Sequence, residues 1–396
     1  MRPRLTAPRG GGNGGGLLEL VRLFLRLGAT AFGGPAAHIA LMENEVVTRR
    51  AWFTRAEFLD TVGLVQLLPG PNSTELAIHI GHARAGWRGG VLAGLSFLLP
   101  AVALVWGLSV VAAAPWLGPV VPSALWWILP AVVAVLMHAL WKFGRQAVGR
   151  SGASLVMPLT ALAAAVLPSD IGVLAVGALA SVLVRRGGGP TGSAVVAVAL
   201  CLLGGAVVSA QVIGVASPPP PSSSRIFWAF AESGVSVFGS GYVLLAWLQR
   251  DLVVQRSWLS LDALTQAAAL AQVSPGPLFA TATAAGYAIG GHAGALAATV
   301  GIFTPAFLSL AASQPLRWLL MRSAVARAAL DGIVIASVSL LGRAVVSFAV
   351  PLVGWQWLWC LLCVILVSRG SGVIPVVLCS SAVLGVLTSI FHLGTT

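Results

Sequence analysis

Residues 89–141 read GGVLAGLSFLLPAVALVWGLSVVAAAPWLGPVVPSALWWILPAVVAVLMHALW, with no Asp, Glu, Lys or Arg among them. At about 1.5 Å per helical residue the stretch suffices for two crossings of a ~30 Å hydrocarbon core. A second uncharged stretch runs from Ala263 to Leu316. Over the whole chain 58% of residues are hydrophobic and 9% charged, which excludes an ordinary soluble protein near one-quarter charged. The 46 glycines and 23 prolines, without alternation of apolar and polar residues, argue for broken helices rather than a membrane barrel. The chain therefore reads as an all-α polytopic membrane protein.

Working outward from residue 89, the chain matches itself at an offset of 206. Phe24, Gly28, Phe32, Gly33, Arg50, Trp52, Gln66 and Pro69-Gly70-Pro71 meet Phe230, Gly234, Phe238, Gly239, Arg256, Trp258, Gln272 and Pro275-Gly276-Pro277. One deletion then sets Gly81, Gly86, Gly89 and Pro100 against Gly286, Gly291, Gly294 and Pro305. Shared Gly, Pro and Trp exceed what apolar bias alone gives, and weak internal symmetry marks many transporter folds. Each half opens with two pairs of short segments, 17–33 with 36–48 and 55–68 with 72–86 in the first, and hairpins at 225–256 and 258–290 in the second. They read as re-entrant hairpins bent at Phe32-Gly33-Gly34-Pro35 and Pro69-Gly70-Pro71, where glycine permits unusual backbone angles and proline ends a helix. Thr54 and Glu57 have the spacing of a capping box.

About four crossings follow in each half, at 89–113, 123–143, 151–168 and 170–185, then 293–313, 324–347, 350–368 and 372–392. An unpaired linking helix is expected at 192–216. The organisation is a disordered cytoplasmic tail over 1–16, an N-terminal repeat over 17–186, a linking helix with a Pro/Ser-rich loop over 187–224, and a C-terminal repeat over 225–396. An odd number of intervening crossings makes the two repeats inverted in topology. The formal charge of +12 reads as the positive-inside bias of loops rather than nucleic-acid binding. With the N-terminus cytoplasmic, Arg49, Arg50, Arg55, Arg84, Arg88, Lys142, Arg145, Arg150, Arg185 and Arg186 fall inside. Arg225, Arg250, Arg256 and Arg343 fall outside or near it. Four cysteines, all in apolar runs, offer no disulfide or metal framework.

An anion crossing a membrane needs donors in place of water, and helix N-termini at a broken helix supply them without a buried arginine. The candidate binding residues are Gly33, Gly34, Gly70, Asn72, Ser73 and Thr74 in the first half and Gly239, Ser240, Ser274 and Gly276 in the second. N-capping is the competing role for Asn72, Ser73 and Thr74. Glu75 and His79 share one helix face and, with His38, are candidates for proton coupling or a hydrogen bond that holds the hairpin. Arg22 and Arg26, on the face of Glu19, either attract an anion or snorkel to the interface. Pro35, Pro69, Pro71, Pro275 and Pro277 shape the bends with Phe32, and Trp52 marks an interface. No metalloprotease, nucleotide or dinucleotide motif occurs, so no enzymatic chemistry and no cofactor are expected.

Phe32-Gly33-Gly34-Pro35 with His38, Trp52, the run Pro69 to Gly81, Arg84-Ala85-Gly86-Trp87 and the echo at Pro275-Gly276-Pro277 with Gly286-Tyr287 resemble the chromate ion transporter superfamily in its long, two-repeat form. His82 stands where the family often has Gly-Tyr, and Ala263 stands where the first half has Glu57. The resemblance implies a multi-pass bacterial inner-membrane carrier that exports chromate, draws on membrane potential or proton gradient, and confers chromate resistance. Expulsion of a dianion gains roughly 4.6 kcal/mol per 100 mV, at ~2.3 kcal/mol per charge. A sulfate or other oxyanion carrier and an anion channel are the alternative readings. A homodimer in the bilayer is among the assemblies the sequence leaves open.

Overall fold

The computed structural model describes residues 15–31, 35–66, 68–117, 120–150, 152–167, 170–185, 221–238, 241–370 and 373–393. The tail over 1–14, the linking helix expected at 192–216, and Phe32, Gly33, Gly34, Gly239 and Ser240 lie outside the described residues.

The described residues are helical, without strands. The first half comprises α1 (Gly15–Thr30), α2 (Pro35–Glu43) running into a π-helical turn at Asn44–Arg49, α3 (Arg55–Val65), α4 (Asn72–Ala112), α5 (Val120–Val148), α6 (Ala153–Val166) and α7 (Asp170–Arg185). The second half comprises α8 (Ser223–Ser236), α9 (Val243–Leu248) running into a π-helical turn at Gln249–Gln255, α10 (Leu261–Val273), α11 (Thr281–Arg322), α12 (Ala324–Ala349), α13 (Gln356–Ser368) and α14 (Ile374–Leu393). Helices stand at the eight crossings expected outside the linking segment. Four are long and apolar enough to cross a membrane: Asn72–Ala112, Ser123–Val148, Leu278–Ala311 and Ala324–Ala349. Ala153–Val166 and Gln356–Ser368 are apolar but short, so among the described residues only those four helices reach crossing length.

Local geometry repeats between the halves. Ala51 and Ser257, 206 residues apart, both take positive φ, 50° and 51°, directly after the two π-helical turns. In α4 the helical path breaks at Ala85 (φ −145°) and Gly86 (φ 62°), and in α11 at Gly290 (φ −144°) and Gly291 (φ 58°). These breaks are reversals. Gly81 abuts Gly89 and Ala93, and Gly94 abuts Ile78, although along a continuous helix residues 78 and 94 would stand about 24 Å apart. A β-carbon on Gly81, Gly89, Gly286 or Gly294 would enter the facing backbone, which is why glycine occupies both sides of each crossing. Thr54 receives the N–H of Glu57 on its hydroxyl while Glu57 accepts the N–H of Thr54, the capping box the spacing predicts.

The halves interlock. The second arms of α4 and α11, equivalent by sequence, pack antiparallel: Gly90 meets Leu310, Gly94 meets Phe307, and Trp106 Nε1 donates to His292 Nδ1 at 3.0 Å. The last helices are exchanged between halves, α7 packing on α12 through Gly177 and Gly332, and α14 on α5 through Gly385 and Ala124.

Candidate functional site

The four hairpin bends meet in two crossed pairs. The Gly70 N–H donates to Val237 O at 2.8 Å, and the Gly276 N–H donates to Ala31 O at 2.9 Å. These bonds are images of each other under the 206-residue repeat, since Gly70 corresponds to Gly276 and Ala31 to Val237. Reciprocity of this kind belongs to a two-fold arrangement. Both glycines take positive φ, 127° and 103°, a conformation that favours glycine. His38, buried against the edge of Phe97, places Nε2 3.1 Å from Ala31 O and so steadies the same junction.

The first turn of α4 carries the polar groups of this junction. Pro71 is the residue before the helix, and no side chain caps it. N-capping therefore does not consume Asn72, Ser73 or Thr74. The N–H groups of Thr74 and Glu75 reach Pro71 O, while those of Asn72 and Ser73, at the start of the helix, have no intrahelical acceptor. Ser73, Thr74 and Glu75 are buried. Asn72 Oδ1, Thr74 Oγ1, both Glu75 carboxylate oxygens and His79 Nε2 are buried without a hydrogen-bond partner. Gly70 lies against the Glu75 carboxylate, and Ser309 of α11 stands beside it. Buried polar atoms are paired as a rule, so this cluster over the first two turns is the candidate site.

The other expected residues divide. Gly70 and Gly276 shape the junction, but their N–H groups are spent on the inter-half bonds. Ser274 donates its hydroxyl to Ala271 O at 2.9 Å. Pro35 opens α2, and Pro69, Pro71, Pro275 and Pro277 flank the two described bends. Arg22 and Arg26 stand about 13 and 8 Å along α1 from Ala31. There they line a cavity of about 420 Å³ with Leu18, Glu19, Leu23 and Arg50. Arg26 pairs with buried Glu45, which also binds Arg49 and Arg50. Trp52 lies under Arg50 and Arg84, as Trp258 lies under Arg256.

Sequence reasoning passed over one cluster. Asp170, at the head of α7, binds Arg343 of α12 and, at 3.1 Å, Arg250 of the second-half π-turn; both arginines also donate to Leu167 O. At the other end of α7, Arg185 and Arg150 bind Asp331 of α12. Lone ionisable residues beside apolar segments were the available signal, but nothing local pairs residue 170 with 250 or 343. Gln272 Oε1, buried and unpartnered near the second bend, was visible only as a repeat match.

Interlocked repeats, apolar crossings and broken helices with unsatisfied polar groups at the junction define a polytopic helical transport protein. The chain belongs to the chromate transporter family, whose model, described as "Chromate transporter", matches residues 18–206 and 224–386. It is thus a transport protein of two repeats rather than an enzyme. It is 30% identical over 362 residues to the "Chromate transport protein" of Pseudomonas aeruginosa, covering 84% of this chain and 80% of that one. It is 28% identical to the protein of the same description from Cupriavidus metallidurans, over 84% of this chain and 82% of the other. A "Probable chromate transport protein" of Synechococcus elongatus is 28% identical over 74% of each. No solved structure matches the chain significantly.

Proposed function

We propose that this protein exports chromate across a bacterial inner membrane by alternating access between two inverted repeats. The substrate follows from the relatives described as chromate transport proteins, which cover most of the chain. Direction follows from charge: a dianion leaving a negative-inside cell gains roughly 4.6 kcal/mol per 100 mV. Inversion is supported by the antiparallel packing of the equivalent arms of α4 and α11, which would run the same way if the repeats shared one orientation.

The observation that carries the mechanism is the crossed pair of bonds from Gly70 and Gly276. These bonds set the first turn of α4 inside the molecule where the repeats meet. The anion is received by the N–H groups of Asn72 and Ser73 and by the side chains of Asn72, Ser73 and Thr74, with the positive end of the helix beneath it. Glu75 and His79, one turn deeper, are the coupling pair: a carboxylate so close to a dianion is tolerated when protonated, so anion and proton occupy the site together.

The test is uptake of radiolabelled chromate into everted vesicles, with potential and pH gradient set independently. Asn72→Ala with Thr74→Val is expected to lower flux at least tenfold at unchanged protein level. Unchanged flux in the double variant would remove the site, and equal flux of sulfate under competition would remove the assignment to chromate.

A further inference from the structure

The repeat relation makes it possible to compare the two mouths of the molecule residue by residue. In the first half the mouth is the cavity of about 420 Å³ lined by Glu19, Arg22, Arg26 and Arg50. Arg22 makes no ion pair among the described residues, and Arg26 is about half exposed although paired with Glu45. In the second half the positions equivalent to Arg22, Arg26 and Arg50 are Trp228, Glu232 and Arg256. Of these, Glu232 lines a cavity of about 70 Å³ together with Asp251, Asp170 and Arg250 among others. Arg250, which corresponds to uncharged Asn44, reaches across to Asp170 and ties this mouth to α7.

With ion-pair partners included, Arg22, Arg26, Arg49 and Arg50 face Glu19 and Glu45 at the first mouth, an excess of two positive charges. At the second, Arg225, at the position of Glu19, together with Arg250, Arg256 and Arg343 faces Asp170, Glu232 and Asp251, an excess of one. Two surfaces of common descent thus differ in what they do to an approaching dianion. The first carries the larger positive excess and attracts it more strongly.

We infer that the exporter is electrostatically one-sided: Arg22 and Arg26 form a receiving vestibule for an oxyanion dianion on the cytoplasmic face. Glu232, at the position of Arg26 in the other repeat, keeps the outer mouth from recapturing the released anion. The inference rests on the proposed function for its substrate and on the inverted topology for which mouth faces the cytoplasm. Glu232 is more than half exposed and its pairing with Arg256 is long, 3.4 Å, so its replacement leaves the packed interior untouched.

The experiment is the half-saturating chromate concentration measured from each face, in right-side-out and everted vesicles at low ionic strength. Wild type is expected to show the lower value from the cytoplasmic face. Glu232→Arg is expected to lower the outer-face value about fivefold and leave the inner-face value unchanged, with the change vanishing at high salt. Arg22→Glu is expected to raise the inner-face value by a similar factor. Equal values from both faces in wild type, or an outer-face value unmoved by Glu232→Arg in protein that still transports, overturns the inference. A wild-type protein with no chromate flux from either face overturns the proposed function, and this inference with it.

Discussion

Asp170 is the residue on which most of the buried charge depends. It is 4% exposed and faces two arginines from the other half, so removing its charge strands both. Breaking a buried pair from one side costs about 3–5 kcal/mol, because an uncompensated charge remains. Asp170→Asn is therefore expected to lower the midpoint of thermal unfolding in detergent markedly. Adding Arg250→Met should recover part of the loss, a pattern read in a melting series of the single and double variants. Gly89 makes the complementary case by lacking a side chain. Its ideal β-carbon would fall on the backbone of Gly81. Gly89→Ala is expected to cost about 1–3 kcal/mol by overpacking, detectable as lost monodisperse protein on size exclusion. At this scale the sequence was legible where the cause is local: the capping box of Thr54 and Glu57, and the glycines and prolines at the bends. It was not legible for Asp170, whose partners lie 80 and 173 residues away.

The elements show how short helices become a membrane protein. The reversals at Ala85-Gly86 and Gly290-Gly291 turn each of α4 and α11 into a tight antiparallel pair, and only the second arm reaches crossing length. Gly291 sits at φ 58°, so Gly291→Ala places a β-carbon in the left-handed region at a cost of roughly 1–2 kcal/mol. The space around it is open, so the loss should appear as a lower unfolding midpoint without a change of chromate half-saturation. Gly28→Ala behaves differently, because its β-carbon would strike Phe97 O in the α1–α4 interface; both midpoint and flux are expected to fall. The segment boundaries drawn from apolar runs and breakers agree with the described helices to within about six residues, except that α11 runs on to Arg322 where its crossing was drawn to 313. Their lengths do not always reach a full crossing, because runs of apolar residues mark burial in lipid or protein alike.

Across the whole molecule, exchange of α7 and α14 between halves and the crossed bonds of the bends make the repeats one interlocked body. If the repeats are inverted, the two reversals lie on opposite faces. In a background without the four native cysteines, Trp87→Cys and Ala293→Cys are expected to react with an impermeant maleimide from opposite sides of sealed vesicles. Labelling of both from one side would refute the inversion. The sequence by itself determined that this is a helical membrane protein of two related halves, broken at Pro69-Gly70-Pro71 and Pro275-Gly276-Pro277. Those properties follow from apolar length and from the backbone chemistry of glycine and proline, which act within a few residues. Only the tertiary structure decided that the bends meet in crossed pairs, that the Gly70 and Gly276 N–H groups are spent holding them, and that Asp170 joins the halves. Such pairings depend on which helix faces can approach closely, a property of packed surfaces that no local stretch encodes.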